Sequence, residues 1–404
     1  MNQRYILFLI LGIDAFILFL KIPDLSISYS EAALLYGDTT FLQLIIKTSL
    51  YLFGQNDFAL RMPMIAFHIA SALLLYQISK NYVKEDKNRL WLIFIFILLP
   101  GVISASILVN NAGLVIFGLL LFIYVTQITT NHNELKPTKS MYILLVFYVF
   151  MDGGFNFLFL ALMLYGYYKK YTNFVIFNGI LFAISIYLCG LDVYGLPKGH
   201  FIDAIGIYAA IFTPIIFIYI VYVLYRRYLT KDIDMIWFIA SVAFILSLLL
   251  SFRQRIGVEQ FAPYLIIALP LAAQTFYSSY RVRLRVFRGK YRFIFTLAII
   301  FLILNSFVVF FNKTIYLVLE NPKKHFAYKM HIAKELAQEL KNQGIKCVKS
   351  KEKMSQRLKF YNIQECENNL LTQYQVDGKK SYDVTISYKN IPVYSANVTK
   401  LNNQ

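Results

Sequence analysis

The stretch SFRQRIG (Ser251–Gly257) sets Arg253 and Arg255 between two long apolar runs, MIWFIASVAFILSLLL and FAPYLIIALPLAA. Guanidinium groups hold phosphate through forked hydrogen bonds, so a pair at a membrane surface suits a phosphorylated headgroup. The rival reading is ordinary interfacial arginine, with the stem in lipid and the head in water. Arg61, at the start of another apolar run, brings a third guanidinium. Glu31 lies in the loop ahead of it, in SYSEAALLYG. It reads either as a base for proton abstraction or as a charge at the N-terminus of a helix capped by Ser28 or Ser30. Asn110 and Asn111, in LVNNAGL, offer amides that hydrogen-bond hydroxyls or cap a helix. Asp152, in MDGGFNF, is an alternative base at a break between two short apolar segments. Lys198 and His200, in YGLPKGHF, place a cation and an imidazole in a loop turned by Gly and Pro. A plain structured loop explains them as well.

What must position these groups is a set of membrane helices. Of 404 residues, 58% are hydrophobic, against about 45–50% in a soluble domain. Apolar runs cover 5–22, 59–80, 90–107, 112–129, 173–190, 204–225, 234–252, 260–277 and 291–312, each long enough for a hydrocarbon core of about 30 Å. The segment 141–168 reads as two more short helices meeting at MDGGFN. The expectation is an α-helical polytopic protein of about eleven segments over residues 1–312, with a small α/β domain over 313–404. The first helix reads as an uncleaved span, because no small-x-small cleavage site follows it.

Net charge is +18, a value that in a soluble chain points to nucleic acid. Here the basic residues cluster at the ends of apolar runs, in KNYVKEDKNR, KPTKS, YYKKY, YRRYLTK and YRVRLRVFRGKYR. That is the pattern of membrane orientation and anionic headgroup contact, so nucleic acid is rejected and membrane lipids are expected partners. Placing all five clusters and the N-terminus inside puts the C-terminal domain outside. Arg253 and Arg255 then fall on the outer face, where charge bias does not explain them.

The first outer loop contains TTFLQLIIKTSLYLFG, which suits a helix in the interface plane. In the tail, HIAKELAQELKNQG and KMSQRLKFYNI read as helices, and IKCVKS, YDVTISY and PVYSANVTKL as strands. Cys347 and Cys366 are free to pair, although the spacing does not demand it. The five His lack zinc-ligand spacing, so no metal site and no required cofactor is read from the sequence, and a divalent metal is left open.

An acidic residue after the first span, an interfacial helix, then LFG, an acidic turn and ALRMPM together resemble the GT-C membrane glycosyltransferases. The likeness is to the protein-O-mannosyltransferase and aminoarabinose-transferase-like group, over about residues 1–170 and again at FAPYLIIALPLAA. It implies transfer of a sugar from a polyprenyl-phosphate carrier to a glycan, lipid or protein outside the cytoplasm. The family's Asp-Glu pair falls on Ser30-Glu31, so only the Glu is kept, and the resemblance makes Glu31 the catalytic candidate. It leaves Arg61, Asn110, Asn111, Asp152, Lys198, His200, Arg253 and Arg255 as substrate-binding candidates. Asn110-Asn111 replace an acidic residue, and Asp152 stands where relatives carry a Lys. Two alternatives are a non-catalytic relative that binds lipid-linked sugar or scaffolds glycan assembly, and a transporter or flippase.

Overall fold

The computed structural model describes residues 3–129, 137–190, 199–255, 257–319, 321–374, 383–389 and 391–400. The chain forms two compact units, one of Met1–Phe16 and Met64–Ser306, the other of Ile17–Pro63 and Phe307–Gln404. The expected division at 312/313 is therefore not the one the contacts draw, since the first loop clusters with the C-terminal segment.

The first unit is helical. Among the described residues, six helices are long and apolar enough to cross a membrane, or eight if each of two bent pairs is one span. The sequence runs 90–107 and 204–225 were expected to be continuous, and both are broken. Asp86–Leu98 meets Pro100–Ile107 at 63°, and Phe201–Phe212 meets Pro214–Thr230 at 106°. Each break sits at a proline, which lacks an N–H and drives the preceding residue out of the helical region. Leu99 is accordingly extended, and Thr213 has a φ of 67°. Lys139–Met151, Asn156–Lys169 and Met235–Ser251 are shorter, at 13, 14 and 17 residues.

Helix Asn156–Lys169 runs against Met235–Ser251. Tyr165 and Tyr168 meet Phe238 near one end, which leaves Asn156 and Ser251 at the other. That other end also gathers Asn111, Asp152, Gly190 and His200, through hydrogen bonds described below. At the opposite end Tyr82 Oη donates to Asp234 Oδ2 at 3.2 Å. Arg227 lies 3.4 Å from Asp232 and 3.6 Å from Asp234, and Arg226 donates to Ser279 Oγ at 2.6 Å. The basic helix ends of this unit thus share one end.

The second unit combines Tyr29–Tyr36, the amphipathic Phe41–Phe53 and the C-terminal segment. Phe41–Phe53 buries Leu42, Ile46 and Ser49, while Leu44, Tyr51, Leu52 and Phe53 are exposed; this is the two-faced pattern of an interfacial helix. Helices Ala333–Asn342 and Glu352–Phe360 pack with a three-stranded antiparallel sheet: β1 (Asn369–Tyr374), β2 (Val384–Tyr388) and β3 (Ile391–Lys400), in the order β1-β3-β2. Their core includes Leu336, Leu340, Val348, Leu358, Ile386 and Ala396. The strand expected at IKCVKS is replaced by two isolated parallel bridges, Cys347 with Gln364 and Lys349 with Leu370. β1 was not anticipated. Cys347 and Cys366 form a disulfide that fastens this region.

Candidate functional site

In the second unit Glu31 sits in a capping box. Ser28 Oγ accepts the Glu31 N–H at 3.2 Å, and Glu31 Oε2 accepts the Ser28 N–H at 2.7 Å. The sequence pattern Ser-x-x-Glu before an apolar run encodes this local structure. It turns Glu31 inward, with 1% of its surface exposed, and leaves Ser30 exposed. The same Glu31 oxygen pairs with Arg61 Nη2 at 3.3 Å.

Arg61 is fully buried. It donates to Ser26 O at 3.1 Å and Leu25 O at 3.4 Å, and its Nη1 lies 3.5 Å from Asp57 Oδ1, one helical turn back. Asp57 in turn accepts Tyr361 Oη at 2.8 Å and pairs with Lys334 Nζ at 2.9 Å. Tyr361 Oη also accepts the Ile27 N–H at 2.9 Å. Burial, reinforced by the Asp57 charge, pushes the Tyr361 phenol above its ordinary pKa, so it stays a proton donor. A second buried guanidinium, Arg357, donates to Ile27 O at 2.8 Å, His331 O at 2.7 Å and Ser26 Oγ at 3.3 Å. Burial lowers its pKa from the ordinary arginine value.

This cluster does structural chemistry. Removing a charge from water costs several kcal/mol, and the cost is recovered only when each group finds close partners. Residues 25–27 are held by two arginines and a tyrosine that donate to, or accept from, their backbone. Glu31 and Arg61, expected to face substrate, instead face each other and the protein.

The remaining candidates lie in the first unit. Asp152 caps the turn Gly153–Phe155, its Oδ1 accepting the Gly154 N–H at 2.7 Å. Its Oδ2 accepts Asn111 Nδ2 at 2.6 Å. The two glycines allow close approach. A Cβ on Gly153 would lie 2.9 Å from Cys189 Cβ, and one on Gly154 would lie 2.6 Å from Val115 Cγ2. Asp152 is half-buried and Asn111 exposed, so this carboxylate–amide pair keeps contact with solvent. Asn110 Oδ1 accepts the Gly113 N–H at 3.3 Å, the helix-cap role its type favours.

Nearby in the same unit, Asn156 Nδ2 donates to Gly190 O at 3.2 Å and the His200 N–H donates to Ser251 O at 2.8 Å. The His200 ring contacts Asp203 at 3.1 Å. Phe201 stacks on Phe252 at 4.6 Å, beside the turn that carries Arg253 and Arg255. Both arginines are exposed. Lys198 lies outside the described residues.

One buried polar pair escaped the sequence reading. His68 Nε2 lies 2.7 Å from Asp14 Oδ2, with His68 stacked on Phe96. Both sit in apolar helices, where ionisable groups find one another or water. Asp14 is the one charge near the middle of the run 5–22, but its partner, one of the scattered histidines, carries no local signal. Among the described residues, no group of three or more metal-ligating side chains comes together. No family model, curated protein or solved structure matches the chain.

Proposed function

We propose that the protein is a GT-C-type membrane glycosyltransferase. It would take a sugar from a polyprenyl-phosphate donor at the extracytoplasmic face and pass it to a glycan, lipid or protein. In this reading Asp152 is the base, in place of Glu31. The carrying observation is the contrast in accessibility: Asp152 keeps solvent contact beside Asn111, whereas Glu31 is enclosed with Arg61. Asp152 accepts the proton of the acceptor hydroxyl while that oxygen attacks the anomeric carbon. The bond from that carbon to the phosphate oxygen breaks, and the phosphate leaves with the electron pair. The Arg253–Arg255 turn stands at the same end of the unit and neutralises the leaving charge.

The topology proposed with it has eleven spans, counting the two bent pairs and the three shorter helices. An odd number carries the chain from an inner N-terminus to an outer C-terminal domain. The shared basic end of the first unit supports that orientation, and the Cys347–Cys366 disulfide suits an oxidising exterior.

The test is transfer from a radiolabelled polyprenyl-phosphate sugar, the donor class chosen by mass spectrometry of lipids and glycans from a deletion strain. Asp152→Asn should lower the rate by at least about 100-fold with folding retained. Full activity in that variant would remove Asp152 from the mechanism. The second reading, a non-catalytic binder of lipid-linked sugar, is favoured by the exposed Ser30 at the position where relatives keep a base. It predicts donor binding without turnover, and a deletion phenotype rescued equally by wild type and Asp152→Asn.

A further inference from the structure

At the basic end of the first unit, a cavity of about 550 Å³ opens between helices Asp86–Leu98, Pro214–Thr230, Leu269–Val282 and Arg285–Phe310. Its walls are almost wholly apolar, with Leu92, Ile95, Leu269 and Ile299 along its length and Tyr222, Tyr277 and Tyr291 among the few polar-tipped residues. We propose that this cavity binds one acyl chain of an anionic diacyl phospholipid, whose phosphate rests on the arginines around the tyrosines.

Three observations join the cavity to a charged mouth. The Arg283 guanidinium lies over the Tyr291 ring, 4.3 Å from its centre. Arg226 follows Tyr222 by one helical turn, and its Nη1 donates to Ser279 Oγ at 2.6 Å, anchoring it beside the helix that supplies Tyr277. Arg281 likewise follows Tyr277 by one turn. Glu85 lies close enough to Tyr277 to be felt there and offsets part of this charge on one side. The volume matches a pocket for a single small ligand or chain.

The surroundings point to lipid as the occupant. Val282, Leu284 and Val286 alternate with Arg281, Arg283 and Arg285, and the three apolar side chains are 87%, 71% and 86% exposed. A segment that offers apolar side chains and guanidiniums in alternation is built for the headgroup boundary of an anionic leaflet. Ile218 and Ile294 line the cavity and are themselves exposed, and exposed Phe293 adjoins Ile294 in the chain, so this open apolar side gives the second chain a place to lie. The inference is independent of sugar transfer, because the site occupies the end of the unit opposite Asp152.

Native mass spectrometry of the detergent-purified full chain tests it with three probes: dioleoyl phosphatidylglycerol, dioleoyl phosphatidylcholine and dihexanoyl phosphatidylglycerol. The first should bind tightest. Arg226→Ala and Arg283→Ala should each weaken it about fivefold, and Ala273→Trp, which fills the cavity, should erase the advantage of the long chain. Equal binding of the two dioleoyl lipids would overturn the headgroup assignment. Equal binding of the long- and short-chain glycerol lipids would overturn the chain assignment, and neither comparison depends on a variant that folds. Displacement of phosphatidylglycerol by equimolar undecaprenyl phosphate would replace the diacyl lipid with a polyprenyl one.

Discussion

The second unit and the Asp152 end of the first unit handle charge in opposite ways. The second unit draws Glu31, Asp57, Arg61 and Arg357 inside and bonds each of them several times. The first unit, at its Asp152 end, leaves Arg253, Arg255 and Asn111 at the surface with Asp152 half-buried beside them. A buried ionised group with many protein partners has little left to offer a substrate. A held but accessible one can still trade protons or meet phosphate. The comparison separates charges that fix shape from charges able to do chemistry, which residue type alone does not.

The largest effect should come from Arg61→Met. The change takes the paired guanidinium from Glu31 in a dry site and leaves Asp57 with Lys334 and Tyr361, and about 3–5 kcal/mol of stability should go. Thermal melting of the purified protein reads this, and an unchanged midpoint would break the distinction drawn above. Next, Cys347→Ser should cost the second unit about 3 kcal/mol, as expected for a loop of this length. Differential labelling of thiols before and after reduction reports whether the bond forms in cells.

A smaller, pH-dependent effect belongs to His331. Burial, together with neighbouring Lys313, His325, Lys21 and Arg357, pushes its pKa down to about 3, from about 6.5 in an unfolded chain. The unfolded state therefore binds the proton first. The stability is present above pH 6.5 and declines as pH falls toward 3, by about 2 kcal/mol at pH 5. Melting profiles from pH 8 to 5 should show the loss, and His331→Gln should flatten them. At the other extreme, Arg253→Ala with Arg255→Ala should change stability by about 0.5 kcal/mol or less, read as a nearly unmoved melting point. A severe loss of stability in that double variant would show that these arginines also fix shape.

Much of the local structure was legible in the chain. Ser28-x-x-Glu31 announces a capping box, and Gly344, with a φ of +75°, ends its helix. The bends at Pro100 and Pro214 carried a proline signal that the reading of 90–107 and 204–225 as continuous runs passed over. What was illegible is long-range. Nothing near Ile27 says that Arg357 and Tyr361 will bind its backbone across 330 residues or more. That pairing comes from two surfaces fitting together, not from any periodic pattern. The same holds for Asn111 with Asp152 and for His68 with Asp14: each side chain was visible, but its partner lay 41 and 54 residues away. For Glu31 both readings were open in the sequence, and the capping box with Ser28 is the one whose geometry the structure shows.

The bond from Arg357 to Ile27 also sets a timetable. Ribosomes add about 5–20 residues per second, so the early loop waits roughly 20–60 s for the segment that completes it. During that interval Arg61 and Glu31 lack the enclosing surface, and the loop must remain soluble and intact. A chain that stops near Asn312 never receives it, and should be cleared by cellular proteases although most of its hydrophobic helices have been made.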